Sequence, residues 1–425
     1  MVNEVLAVYN KTTGALELGP ESVAAVWSGF SAPCATYGGG DVVVLYDQLA
    51  NRWLISEMGG NSSTNFFQCI AVSQTADATG SYYRYAYSFG QELNDYPKFG
   101  IWPDAYYYSA NIWQGGTGQF EGARACAFDR NAMLNGQASA SMICFQNSSS
   151  IFGLLPANLD GYTLQTAGEP DFFVDIADTS HLNIFQFHVD FNNPANSTFS
   201  GPTQISVASF SEVSCSSSGN CIPQPSTSNT LDSLSDRLMF PLAYRNFGDH
   251  ESLVVNHTVA GPLGGPVSGV RWYEIRNPAS APIVYQQGTV YDSTNVSYWM
   301  GSIAMDKTGD IALGVSASGT QVNPSIYALG HASSDPLNSM SGPLVLASGN
   351  GVQNTTARWG DYSSMTVDPS DDCTFWYTQE FYNHTNNNPP YNGVNWVTHV
   401  SSLKFDACGT TAPAGLMTII DLLIL

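Results

Sequence analysis

The stretch from Ala357 to Tyr382 reads ARWGDYSSMTVDPSDDCTFWYTQEFY. Two segments within it, YSSMTVD and CTFWYTQEFY, alternate or run continuously apolar and are rich in β-branched and aromatic residues. A Pro/Ser/Asp turn joins them, so the pattern is that of a β-hairpin. Nearly the same pattern stands at Tyr298 to Ser316, YWMGSIAMDKTGDIALGVS: an aromatic pair, a small-residue strand ending in Asp306, a Lys-Thr-Gly-Asp turn and a second apolar strand.

Four more copies follow with decreasing fidelity. GDVVVLYDQLANRWLISE turns after Asp47, YPKFGIWPDAYYYSANIW at Asp104, EPDFFVDIADTSHLNIFQFHV after Asp175, and DRLMFPLAYRNFGDHESLVVNHT near Tyr244. With Asp306 and Asp368 these anchors lie 57, 71, 69, 62 and 62 residues apart, too long for a solenoid and suited to a four-stranded propeller blade with generous loops. Further strand-like runs such as CIAVS, ARACAF, GVRWYEIR and WVTHVSSLKF follow each hairpin, giving two hairpins per unit. A sandwich or jelly roll also has many short strands, but has no reason to repeat its hairpin six times. The expected fold is therefore all-β: a single β-propeller of six four-stranded blades, with a seventh split between the termini as the alternative. Residues 1–37 are expected to supply a strand that closes the ring against the last blade, 38–408 to form the propeller, and 409–425 to be an apolar tail. The polar run Ser211 to Thr230 reads as an inter-blade loop, and DRNAMLNG as a single helical turn.

Charge narrows the function. Thirteen basic against 35 acidic side chains leave a formal charge of −22, so the clustered Lys/Arg that nucleic-acid binding needs are missing. Sequons Asn-x-Ser/Thr occur at Asn10, Asn61, Asn147, Asn196, Asn256, Asn295, Asn354 and Asn383, which points to a glycoprotein if the source glycosylates. The eight cysteines form an even set. Cys215 and Cys221 share one polar loop, Cys126 and Cys144 face each other across a predicted outer hairpin, Cys373 and Cys408 lie on neighbouring strands, and Cys34 and Cys69 remain for each other. Four disulfides imply an oxidising, extracellular setting. No CxxC pair or HExxH motif occurs, so no metal or other cofactor is expected. The first residues, MVNEVLAVYN, lack the basic and apolar regions of a signal peptide, as expected of a processed start. The last ten, LMTIIDLLIL, are too few to span a bilayer; they read as an anchor remnant or as a strand that docks on this chain or on a second copy.

In a propeller the functional site is sought where the first strands begin. Those positions hold Asp41, Tyr96, Lys98, Glu169, Asp171, Asp236, Arg237, Tyr298, Trp299, Arg358, Trp359 and Asp361. From them we take Lys98, Asp171, Arg237, Trp299, Arg358 and Asp361 as the candidate ligand-binding set. Three cations would hold an anion and the aromatics would stack on a sugar ring; the bland counterpart is that Arg/Lys-Asp pairs simply tie blades together. Asp249, His250 and Glu251 form a further acidic turn around one histidine. No nucleophile elbow, P-loop or dinucleotide fingerprint is present, and catalytic residues stay unassigned.

The runs SDRLMFPLAYRNFGDHESLVVNHTV, WMGSIAMDKTGDIALGVS, RWGDYSSMTVDPSDDCTFWYTQEFY and CIAVSQTADATGSYYRYAYSFGQELNDYPKFGIWPD resemble a group of secreted, mostly bacterial, uncharacterised β-propeller or sialidase-like proteins. The resemblance covers about Asn10 to Cys408 and implies fold and secretion, with no catalytic residues to carry over. The Asp-box S-x-D-x-G-x-T-W of true sialidases is missing, and the apolar tail and dense sequons depart from the bacterial pattern. Two functions stay open: a surface glycoprotein that binds a glycan or protein partner or assembles with itself through the tail, and a glycoside hydrolase or lyase with its site at the channel mouth.

Overall fold

The computed structural model describes residues 5–424 apart from 31–32, 37, 39, 62–64, 214, 216–218, 262–266, 386–395 and 409–415. Among the described residues the one α-helix is α1, Arg130–Leu134, the helical turn expected of DRNAMLNG. Asp129 caps it, its Oδ1 accepting the Ala132 amide at 2.9 Å. Everything else regular is strand or short 3-10 turn, so the fold is all-β.

The chain forms two compact units. The first comprises Met1–Tyr162, Thr166–Asp175 and Phe185–Pro202, and the second Thr163–Gln165, Ile176–Ile184 and Thr203–Leu425. In the first unit β1 (Val5–Tyr9) pairs with β2 (Leu16–Ser22). Two antiparallel four-stranded meanders follow. One is β3 (Val43–Asp47), β4 (Arg52–Asn61), β5 (Asn65–Ser73) and β6 (Tyr82–Gly90); the other is β7 (Glu92–Ile101), β8 (Ala105–Gln114), β9 (Gln119–Asp129) and β10 (Met142–Gln146). β11 (Leu155–Asp160) belongs to the first unit, and the residues of β12 (Asp171–Asp178), β13 (His181–His188) and β14 (Thr198–Ser206) are divided between the units.

In the second unit β15 (Asn220–Ile222) pairs with β16 (Leu231–Asp232). Four antiparallel strands follow as part of a larger, eight-stranded sheet, so they are not a separate blade: β17 (Leu238–Asn246), β18 (Glu251–Ala260), β19 (Ser268–Arg276) and β20 (Ile283–Val290). Two four-stranded sheets complete the unit: β21 (Val296–Met305), β22 (Ile311–Gly319), β23 (Val322–His331) and β24 (Ser341–Ala347), then β25 (Ser364–Val367), β26 (Thr374–Phe381), β27 (Val397–Phe405) and β28 (Leu416–Ile424). The polar run from Ser211 is more than a surface loop, because Ile222 and Leu231 of its hairpin are fully buried beside Trp299 and Trp359.

The two hairpins quoted first, β25–β26 and β21–β22, stand where the sequence puts them, with Ser364 opposite Thr378 and Met305 opposite Ile311. Two other copies turn later than expected. The β12–β13 turn comes after Asp178 rather than Asp175, and the β17–β18 turn follows Asn246 rather than Tyr244. The copy at Asp171–His188 is also displaced by one strand, since β11 precedes it in the sheet order. LPANLD carries a proline and two polar residues and has no strand signature, so β11 forms on the register its neighbour offers: Leu155 faces Val174 and Pro156 faces Phe173.

The termini correct a further expectation. The last sheet takes its fourth strand from the tail, with Val400 of β27 opposite Leu422 of β28 and Ser401 opposite Asp421. The N-terminal strand instead pairs locally, Val5 opposite Ser22, and does not fill the last sheet. The nine-residue tail strand, rich in Ile and Leu, is a better match for a sheet edge than the five-residue β1. Residues 409–415, where the tail begins, lie outside the described residues.

In four of the hairpins an aspartate at the turn is the acceptor that closes it. Asp306 Oδ1 accepts from Thr308 N at 2.8 Å, Thr308 Oγ1 at 2.7 Å and Asp310 N at 3.1 Å. Asp47 Oδ1 takes the Leu49 and Ala50 amides, Asp178 Oδ1 the Ser180 amide and Asp368 Oδ1 the Ser370 amide. This is Asx-turn chemistry, which needs one side-chain oxygen and no charge. In β17–β18 an asparagine does the same work, Asn246 Oδ1 accepting the Gly248 amide at 2.7 Å. Scarce cations then tie the turns down: Arg130 grips Asp47 at 2.7 and 3.0 Å, and Arg245 grips Asp372 at 2.9 and 2.6 Å.

All four disulfides join the cysteines paired from sequence: Cys34 with Cys69, Cys126 with Cys144, Cys215 with Cys221 and Cys373 with Cys408. No helix among the described residues is long and apolar enough to cross a membrane.

Asp306 is fully buried and its Oδ2 has no hydrogen-bond partner. Burial first, and the nearby Asp310 charge, push its carboxyl up to about 6 against hydrogen bonds that lower it. A raised carboxyl favours the protonated folded state, so stability falls as pH climbs from the unfolded value near 4 to the folded value near 6, and the loss persists above that. Asp306→Asn keeps the Oδ1 acceptor and removes the ionisation. Urea unfolding at pH 4, 5, 6 and 7.5 should show the variant gaining on the parent through that window; parallel pH curves for the two chains would contradict this.

Candidate functional site

The Arg-Trp-Gly-Asp run preceding β25 is built from its tryptophan outward. Trp359 is buried, its ring 5.9 Å from Trp299 and 5.8 Å from Tyr382, and its Nε1 donates to Ser316 Oγ at 3.1 Å. Trp299 starts a β-bulge between Trp299 and Ser302 in β21, where Met300 adopts φ 49°. Gly360 adopts φ 57°, a region glycine enters freely, and a Cβ there would press on Met300 Cγ at 3.0 Å. Gln353 pins the approach to the turn: its amide nitrogen donates to the Thr356 and Arg358 carbonyls at 2.7 and 2.8 Å, while its Oε1 accepts from Tyr382 Oη and Trp396 Nε1.

This fixed turn aims backbone and charge at Glu380 on β26. The Gly360 amide donates to Glu380 Oε1 at 3.0 Å. Glu380 keeps part of its surface accessible, yet its carboxyl is enclosed, and burial, with help from the Asp361 charge, pushes it up to about 8 against the Gly360 amide. A carboxyl at that value is protonated at neutral pH and can donate a proton. Asp361 Oδ2 meets Arg358 Nη2 at 2.7 Å, and the Arg358 side chain is 67% exposed. Next along β26, Gln379 is buried, its Nε2 donating to the Met300 carbonyl and its Oε1 accepting the Glu380 amide. A neutral acid, a carboxylate beside a guanidinium and a rigid aromatic base therefore share one turn.

Of the six residues expected at the site, four fall in the second unit. Trp299, Arg358 and Asp361 gather at this turn. Arg237 forms a two-bond pair with its neighbour Asp236, at 2.8 and 3.1 Å. Lys98 and Asp171 belong to the first unit. Lys98 is buried with its ammonium 3.5 Å from the Tyr96 ring centroid, in a bulge where Tyr96 has φ 58°. Asp171 is fully buried, and burial, followed by the Asp104 charge, holds its carboxyl well above the usual range. Asp104 is raised too, again mainly by burial, and the Tyr107 hydroxyl donates to it at 3.4 Å. Asp249 pairs with His250 at 2.7 Å in an exposed turn, stacked on Phe247.

Sequence reasoning missed Glu380. The cue available was a single acid inside an eight-residue strand, half of whose residues are aromatic. In the first unit Glu57 was missed likewise: it is buried on β4 opposite Cys69, and burial, opposed by the Trp27 indole, pushes its carboxyl up to about 7.

No family model matches the chain, and no curated protein matches it. Solved structures do. An α-L-arabinofuranosidase from Lactobacillus brevis is 15% identical over 75% of this chain and 93% of its own, with a TM-score of 0.34. An endo-arabinase from Bacteroides thetaiotaomicron VPI-5482 is 10% identical over 73% and 96%, with a TM-score of 0.31. A Trypanosoma rangeli sialidase in complex with the inhibitor DANA is 9% identical over 96% and 58%, with a TM-score of 0.36. Scores this low carry no argument about what this chain does.

The sequons divide by surface. Asn196, Asn295 and Asn354 are exposed, and Asn10, Asn147 and Asn383 are half-buried. Asn256 lies fully buried on β18, where a Cβ on Gly301 would collide with its Oδ1, so a glycan has no room there. The Asn61 side chain is outside the described residues. Produced in a glycosylating host and treated with peptide N-glycosidase, the protein should show deamidation at Asn196, Asn295 and Asn354 and none at Asn256 by peptide mass mapping. Conversion at Asn256 would contradict the β18 packing.

Proposed function

We propose that the protein is an extracellular, glycoside-acting enzyme whose proton donor is Glu380 and whose charged partner is Asp361. The observation that carries this reading is the split between two neighbouring carboxyls: Glu380 is held protonated by burial, and Asp361 is paired to Arg358. Glycoside cleavage needs such a pair. The Glu380 proton passes to the glycosidic oxygen as the anomeric carbon–oxygen bond breaks. The Asp361 carboxylate stabilises the positive charge that builds on the ring. Water then adds its oxygen to the anomeric carbon and returns a proton to Glu380.

The propeller expected from the hairpin repeat is supported by four separate four-stranded antiparallel meanders, and the extracellular setting by four disulfides and exposed sequons. Self-association through the tail would use the outer edge of β28, whose inner edge is taken by β27. The glycan reading needs no such contact.

The test is hydrolysis of a panel of α- and β-linked nitrophenyl glycosides. Turnover should fall above about pH 8 as Glu380 ionises, because its acid form is the active one. Glu380→Gln, with an unchanged circular dichroism spectrum, should lose roughly 10²–10⁴-fold in kcat. No turnover by the folded parent, or full activity in Glu380→Gln, would overturn the assignment.

A further inference from the structure

A groove of about 460 Å³ lies elsewhere in the second unit, bounded by Trp272 and Tyr298, the linker from β20 to β21, and the connection from β23 to β24. Its size is within the range of small-molecule sites, about 300–1,000 Å³. We propose that this groove binds one neutral sugar residue of a glycan, independently of the chemistry at Glu380. No Lys or Arg lines it, and Asp292 is its one charged group, so an anionic ligand finds repulsion and no counter-charge.

What remains is amphipathic and fixed in place. Tyr291 is 47% exposed and presents an aromatic face on which the C–H face of a pyranose can stack. Asn338 is held by two bonds: its Oδ1 accepts the Gln287 amide at 2.9 Å and its own amide donates to Gln286 Oε1 at 3.3 Å. Its side-chain NH2 is thereby a positioned donor. Asp292 Oδ1 is occupied by the Thr294 amide at 2.6 Å and by the Thr294 hydroxyl, which leaves Oδ2 as an acceptor. Tyr298 also lines the groove, and its phenol hydroxyl is a further donor group there. A fixed donor pair, a fixed acceptor and an exposed ring match the vicinal hydroxyls and apolar face of one hexose unit.

Asn295, an exposed sequon asparagine, lies two residues beyond Ser293 in the groove wall, so the test chain carries Asn295→Gln to remove any attached glycan as competitor. Saturation-transfer NMR is run with methyl α-D-mannoside, methyl β-D-galactoside and methyl β-D-glucoside, and with N-acetylneuraminic acid and galactose 6-sulfate as anionic probes. At least one neutral glycoside should bind and the anionic probes should not. Tyr291→Ala and Asn338→Ala, each with an unchanged melting curve, should weaken binding by roughly tenfold, about 1.4 kcal/mol. Glu380→Gln should leave it unchanged. Three results would each overturn the proposal: no binding of any neutral glycoside, equal binding of the anionic probes, or binding lost in Glu380→Gln and kept in the two groove variants.

Discussion

The indole of Trp359, lodged between Trp299 and Tyr382 and tied by its Nε1 to Ser316, fixes the second unit's candidate site. Its neighbours owe their positions to that anchoring. Arg358 on one side is left outward, and Gly360 on the other turns back with φ 57° so that its amide meets Glu380. Trp299 and Met300 come from the bulge of β21, and Tyr382 from just past β26, so the clamp joins two sheets of the unit at one point. The β15–β16 hairpin packs Ile222 and Leu231 over the same cluster and keeps it dry. Bulges re-aim side chains that a regular strand would send to the opposite face, and here one delivers an aromatic floor.

Charge is distributed with equal economy. Asp47, Asp178, Asp306 and Asp368 act through their Oδ1 oxygens as turn acceptors, a role that Asn246 fills equally well in its own hairpin. The few cations are largely committed locally: Arg130 and Arg245 brace turns, and Lys98 sits over Tyr96. An acidic chain of this kind keeps carboxyls ionised where they have partners and leaves them protonated where burial wins. Glu57, Asp306 and Glu380 are all raised, with burial the largest cause in each.

Much of this was legible in the residues. The hairpins at β21–β22 and β25–β26, the helical turn at α1 and the Cys126–Cys144 and Cys215–Cys221 pairs follow from local patterns that few competing interactions disturb, while Cys34–Cys69 followed by elimination. The rest depended on partners distant in sequence. β11 forms on the register its sheet neighbours offer, with no strand signature of its own, and β1 pairs with the neighbouring segment Leu16–Ser22 rather than the last sheet. Asp171 opens β12 as read, whereas Lys98 lies well inside β7 rather than at a strand start, and burial, invisible to spacing, places both out of solvent. Asn256 matches a sequon whose strand is buried on both faces. Glu380 carries no motif, and its character comes from enclosure by a turn formed by residues 358–361.

The proposed proton transfer requires Glu380 to be a neutral acid at physiological pH. Carbon-13 NMR of the protein labelled at glutamate side-chain carboxyls, with Glu380 assigned by its loss in Glu380→Gln, measures this directly. The Glu380 signal should titrate near pH 8. A midpoint close to the ordinary glutamate value of 4.5 would contradict it.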